Sequence, residues 1–274
     1  MFIDAHAHAA GPLCTAESIR ETAVKFHLER ICLCTGPKNN VQLGRPPSLP
    51  LPKNPNSNYL LNRMLRLAYR SFLKDKGDGN AFVLELTRAI PETVVPMYWV
   101  NPLDPIQLAN LDRDLVAYQA KGIKLHQAWD AFSFEAAQFR RVAEVARSHS
   151  LPIFCHIYSK PQTRKLVRFL EANREVTFIV GHMAGLELFR ECRPRLDRVF
   201  FDTSGSERIQ VKHIQQAVDW FGCEHVLFGS DTPYASLEAG LEKVDQLKIS
   251  DAMKERIYRK NAEDIYLCQH YQRG

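Results

Sequence analysis

Short apolar runs rich in Val, Ile, Leu and Phe recur at residues 2–6, 30–34, 94–100, 122–126, 152–157, 177–181, 199–202 and 226–229. Several are nearly continuous in apolar character, which suits parallel strands covered on both faces better than strands with one wet side. Between them, apolar positions recur at helical spacing over 16–26, 106–119, 135–148, 162–173, 209–221 and 237–247. Strand alternating with helix about eight times predicts an α/β protein, either a closed barrel or a doubly wound sheet. The 274 residues match a (β/α)8 barrel, which typically forms one domain of about 250 residues. One domain over 1–274 is therefore expected.

Two stretches break the alternation. About sixty residues separate the second strand from the third, opening with GPKNNVQLGRPPSLPLPKNPNSN, whose prolines and asparagines cannot sustain regular structure. Helical patterns follow at 59–73 and 81–89. An insertion of this kind, about 36–90, lies on the C-terminal face of a barrel, where it serves as a lid or pocket wall or as a surface excursion. The second is an extra C-terminal helix over 251–266, expected across the outside or bottom of the barrel.

Composition narrows the function classes. Hydrophobic residues make up 45% and charged residues 24%, as in ordinary globular proteins. The net charge of +5 is small, and its densest basic stretch, 190–198, is interleaved with acids, so it reads as a solvated face rather than a nucleic-acid surface. Seven cysteines without a regular framework point to reduced thiols. No leading signal pattern and no apolar run of membrane-spanning length are read, so the expected location is cytoplasmic. A small-molecule substrate is the expected partner, with no nucleic acid and no membrane; a homo-oligomer is compatible with all of this.

The chemistry gathers where the strands end. The first strand ends in His6 and His8, the fourth in Lys124 and His126, the fifth in His156, the sixth in His182 and the last in Asp231. In a barrel these ends meet on one rim. Strand periodicity of two points His6 and His8 the same way, as two neighbouring ligands of one ion require. The other histidines, His27, His149, His213, His225 and His270, fall in helices or loops, and His225 reads as structural. Imidazoles with one carboxylate suit Zn²⁺, with Mn²⁺, Fe²⁺ or Ni²⁺ as alternatives. Such an ion lowers the pKa of bound water from about 15.7 to about 7.

The pieces DAHAH, GIKLH, PIFCH, FIVGHMAG, LFGSDTPY and RKNAEDIY run in order from residue 4 to residue 266. Together they resemble the amidohydrolase superfamily, and within it the amidohydrolase-related family of metal-dependent barrel hydrolases and decarboxylases. The resemblance implies a distorted (β/α)8 TIM barrel and one divalent metal held by His6, His8, His156 and Asp231. It also implies His182 as the catalytic or water-orienting histidine, with Asp231 taking the proton of the water. Lys124 is the position at which some relatives bridge a second metal through a carboxylated lysine. GIKLH also looks like the mononuclear members, and one metal is favoured. His126 is a candidate for substrate contact or for completing the rim. The TatD-type nuclease branch places a metal-binding Glu on the fourth strand, and none stands here.

The leading expectation is hydrolysis of a C–N or C–O bond in an amide, lactone or ester. The alternative is non-oxidative decarboxylation of an aromatic or unsaturated carboxylic acid, with Arg45 or Lys53 holding a second carboxylate. A third reading, a metal-binding barrel without catalysis, predicts a closed ligand shell.

Overall fold

Alternation along the strands decides the architecture. In the computed structural model, which describes residues 1–35, 64, 79–157, 159–191, 197–205 and 209–268, eight parallel strands follow one another in sequence order. They are β1 (Phe2–His8), β2 (Leu28–Cys34), β3 (Val94–Trp99), β4 (Gly122–His126), β5 (Ile153–His156), β6 (Phe178–Gly181), β7 (Val199–Asp202) and β8 (Val226–Leu227). The backbone closes the ring: Ala5 N–H donates to Phe228 O, Asp231 N–H to His6 O and His8 N–H to Thr232 O, each at 2.8 Å. Sequential order with closure makes this a (β/α)8 barrel; a doubly wound sheet would reverse its order at a switch point.

One set of side chains fills the lumen, comprising Ile3, Ala5, Cys32, Cys34, Val95, Met97, Trp99, Phe154, Ile179, Phe200 and Leu227. The intervening residues, among them Ile31, Leu33, Tyr98, Ile123, Leu125, Ile153, Phe178, Val180 and Phe201, face the helices. This period of two carries Lys124 and His126 inward on β4, His156 on β5 and Asp202 on β7. β1 needs an irregularity to do the same. Ile3 and Ala5 face the lumen, and a register shift against β2 between Asp4 and Ala7 changes the phase, so that His6 and His8 point inward beyond it.

The surrounding helices are α1 (Ala16–Phe26), α2 (Gly79–Ala89), α3 (Pro105–Ala117), α4 (Gln127–Asp130), α5 (Ala137–Ser148), α6 (Lys160–Ala172), α7 (Leu186–Glu191), α8 (Val211–Phe221) and α9 (Leu237–Asp245). Their ends follow local chemistry. Thr15 caps α1 by accepting from Ser18 N–H while Ser18 reaches back to the Thr15 backbone, a reciprocal cap of two donors. Asp104 caps α3, whose first residue is Pro105, where a missing N–H costs nothing. The short helices α4 and α7 have too few residues to show a period, and the sequence pattern does not predict them.

The expected C-terminal helix is present as α10 (Asp251–Glu255), a π turn at Arg256–Lys260 and α11 (Asn261–Tyr266). It closes the bottom: Ala262, Ile265 and Tyr266 join the lumen cluster, and Asn261 Nδ2 donates to Cys223 O and Val226 O at 2.7 and 2.8 Å. Of the expected insertion, the helix near 81–89 exists as α2. Its Asn80 pins the end of β3, exchanging two hydrogen bonds with the Trp99 backbone. Apart from Met64, the helix expected at 59–73 lies outside the described residues, as do the two cations Arg45 and Lys53, and His270. No helix among the described residues is long and apolar enough to cross a membrane.

Candidate metal centre

The C-terminal rim brings His6, His8, Lys124, His126, His156, His182 and Asp231 together, all buried. His6 and His156 aim their Nε2 atoms at each other's neighbourhood, 3.2 Å apart. Asp231 Oδ1 stands 3.2 Å from Nε2 of both His6 and His8. Ligand atoms of His6, His156 and Asp231 all lie within 4.8 Å of one another. Room for the His156 ring comes from β6, where a Cβ on Gly181 would sit 2.6 Å from His156 Cδ2.

The electrostatics match this geometry. Burial, reinforced by the Lys124 ammonium, holds His6 and His156 well below the usual imidazole value, so both stay neutral with a lone pair to give. Burial opposes the Asp231 carboxylate, but His6, His8 and His182 outweigh it and keep the group ionised. His8 behaves differently: burial lowers it, while the Cys34 thiol and Asp231 raise it to about 9. Its Nδ1 lies 2.9 Å from Thr35 O; with the Nδ1 proton donated to Thr35 O, Nε2 facing Asp231 is the nitrogen that would give up its proton to an ion. Such an outer hydrogen bond orients a ligating imidazole.

Lys124 sits in the middle of this group. Its Nζ is 3.1 Å from His6 Nε2 and 3.0 Å from His156 Nε2, and 4.2 Å from the centre of the Phe154 ring. Burial pulls the amine below its usual value. Two imidazole lone pairs already converge on one cationic group, and the buried Asp231 Oδ1 has no hydrogen-bond partner among the described residues. A divalent cation fits that donor set: neutral nitrogens on His6 and His156, one ionised oxygen on Asp231, and His8 Nε2 once its proton is displaced, as ligation requires.

His182 approaches from the other side, with Nε2 3.9 Å from Asp231 Oδ2 and its ring 4.1 Å from that of His156. Both His182 and Asp231 hold left-handed backbone, at φ 55 and 63, an unfavourable conformation for residues with a Cβ and one that concentrates at functional sites. His126 is partly committed elsewhere. Its Nδ1 accepts Trp129 N–H at 2.9 Å, capping α4, and its ring stacks on Trp99 at 5.9 Å and 13°. Tyr234, half-exposed, sets its ring 4.9 Å from His8 at the mouth.

Sequence reasoning missed the residues behind this front. Asp4 Oδ1 accepts from the backbone N–H of His6 (3.1 Å) and Ser230 (2.9 Å), and Asp4 Oδ2 accepts from the Ser230 hydroxyl (2.5 Å). One buried carboxylate thus ties β1 to the segment carrying Asp231. Asp202 and Ser204 play a similar part behind His182. The signal existed in both places, since DAHAH contains Asp4 and β7 ends in an acid after three apolar residues.

The family model described as Amidohydrolase matches residues 74–267 of the chain. No curated protein matches the sequence. Among solved structures, a dihydroxybenzoic acid decarboxylase from Polaromonas with bound manganese and the inhibitor 2-nitroresorcinol superposes with TM-score 0.65 at 13% identity, covering 97% of this chain and 96% of that one. A probable 2-pyrone-4,6-dicarboxylic acid hydrolase from Acinetobacter baumannii gives 0.67 at 14% identity, covering 97% and 98%. A 4-oxalomesaconate hydratase from Rhodopseudomonas palustris gives 0.65 at 13% identity, covering 97% and 95%. At these identities the likeness is one of fold.

Proposed function

The chain belongs to the amidohydrolase family, and on that premise we propose that it is a metal-dependent hydrolase of small molecules. One domain spanning 1–274 carries the activity, in the cytoplasm, with His6, His8, His156 and Asp231 holding a single divalent ion. Zinc suits the nitrogen-rich donor set, and manganese, present in the Polaromonas decarboxylase, is the main competitor.

The observation that carries this reading is the two-sided placement of Asp231. Oδ1 faces His6 and His8 at 3.2 Å, and Oδ2 faces His182 at 3.9 Å. A bound divalent ion would supply Lewis acidity toward the scissile carbonyl and toward water. Asp231 is ionised and able to receive a proton on Oδ2, then release it to the leaving nitrogen or oxygen. His182 lies within reach of the same proton and of charge developing on the substrate. Burial, reinforced by Lys124 pressed between His6 and His156, keeps both imidazoles neutral. The side chains are buried, and the lowered local dielectric strengthens each of these interactions.

A second reading is decarboxylation of a planar unsaturated acid. Trp99 stacked on His126, with Tyr234 beside His8, frames the mouth with flat aromatic surfaces that suit a ring. A panel of lactones, amides, esters and aromatic carboxylates, assayed with Zn²⁺ and with Mn²⁺, separates the two. Hydrolysis consumes water and releases an acid; decarboxylation releases CO₂ without it. Turnover confined to the carboxylates would replace the first reading by the second.

A further inference from the structure

Strand β7 carries no residue of the proposed ligand set, yet its end supports His182. Asp202 is fully buried and accepts three hydrogen bonds: from His182 N–H to Oδ2 at 3.3 Å, from Ser204 N–H to Oδ1 at 3.2 Å, and from the Ser204 hydroxyl to Oδ2. Ser204, also buried, places the same hydroxyl oxygen 2.9 Å from His182 Nδ1. A hydroxyl has one proton. Where Asp202 is ionised it takes that proton, so Ser204 meets Nδ1 only as an acceptor, which requires the imidazole proton to be on Nδ1. Neutral His182 then carries its lone pair on Nε2, the atom turned toward Asp231.

Two further details fit. Gly205 stands at φ 90, and a Cβ there would lie 2.9 Å from His182 Nδ1, so the space beside the ring is kept clear for the Ser204 contact. Asp202 also binds the left-handed His182 backbone directly, so one carboxylate sets both the main-chain position and, through Ser204, the ring.

We propose that Asp202 and Ser204 are positioning residues that lock His182 in the Nδ1–H tautomer and thereby present Nε2 to the reaction as a proton acceptor. The proposal deepens the hydrolase reading in that it assigns how His182 is prepared, but its test does not depend on turnover. ¹⁵N-histidine labelling of the full-length protein, with His182 assigned by its loss in His182→Gln, reads the tautomer from the ring nitrogen shifts. The wild type is expected to show protonated Nδ1 and bare Nε2. Ser204→Ala should lose that preference, and Ser204→Thr, which keeps the hydroxyl, should restore it.

In turnover, Ser204→Ala should lower kcat by about 10- to 100-fold, the usual range for removing a partner behind an active residue. KM and the metal content should hold, and Ser204→Thr should recover most of kcat. A wild-type His182 protonated on Nε2, or a tautomer unmoved in Ser204→Ala with the fold intact by circular dichroism, overturns the proposal. The predicted tautomer in a protein inactive on every hydrolytic substrate leaves this proposal standing and removes the hydrolase reading instead.

Discussion

The two ends of the barrel lumen use the same eight strands in opposite ways. At the C-terminal end the inward positions are Lys124, His156, Asp202 and the neighbours His6, His8 and Asp231, buried groups with perturbed protonation. At the other end the lumen is closed by Met97, Ala262, Ile265 and Tyr266. Burial raises Asp4 and Asp202 to about 7, a mark of the free energy spent at the polar end in keeping carboxylates out of water. The apolar end buries no carboxylate and gains from burying hydrocarbon, with the Tyr266 hydroxyl buried there without a hydrogen-bond partner among the described residues. The lesson is a division of labour: one end holds chemistry at the expense of stability, and the other holds the barrel together.

Substitutions at each end should therefore separate activity from stability. The largest effect is expected for Asp231→Asn, which removes the proposed proton acceptor and one ligand. Turnover should fall by about 1,000-fold or more, with urea unfolding showing a folded protein; retained activity would sink the role given to Asp231. Next, Ile265→Ala at the bottom should cost about 3 kcal/mol of unfolding free energy through lost burial and a residual cavity, while kcat per folded molecule stays within twofold. A comparable fall in kcat would blur the division between the ends.

Divalent metal offers a third way to sharpen the contrast. Zn²⁺ at about 100 times its dissociation constant should stabilise the wild type by about 2.7 kcal/mol. Ile265→Ala should gain the same increment, and His6→Ala combined with His156→Ala should gain almost none. An equal gain in all three would place the ion elsewhere. The smallest effect is expected outside the lumen altogether. Thr15→Ala breaks the reciprocal cap of α1 and should cost about 1 kcal/mol with no change in turnover or metal uptake.

Much of this contrast was legible in the chain. Runs such as 122–126 and 199–202 announce strands buried on both faces, and their order with intervening helices announces the barrel. The residues that meet at the rim were also readable, because a barrel converts strand-end position into spatial proximity: His6, His156 and Asp231 are far apart in sequence and adjacent in space. What could not be read depended on exact backbone geometry. The register shift that turns His6 and His8 inward after Ala5 leaves no compositional trace. The left-handed backbone at His182 and Asp231 is equally silent, since neither is glycine. Ser204 and Asp4 act through hydrogen bonds to neighbours far away in the chain, which periodicity does not reveal. The π turn at Arg256–Lys260 sits within an otherwise ordinary helical pattern.

The central claim is that the polar end of the lumen is a site for one divalent ion built from His6, His8, His156 and Asp231. Metal analysis of the purified protein, after equilibration with Zn²⁺ or Mn²⁺ and removal of excess, tests it most directly. The account predicts one equivalent per chain, lost when His6 and His156 are both replaced by alanine in a protein that still folds. Two equivalents per chain, as a carboxylated Lys124 would bridge, or one equivalent that survives the loss of both histidines, would contradict it.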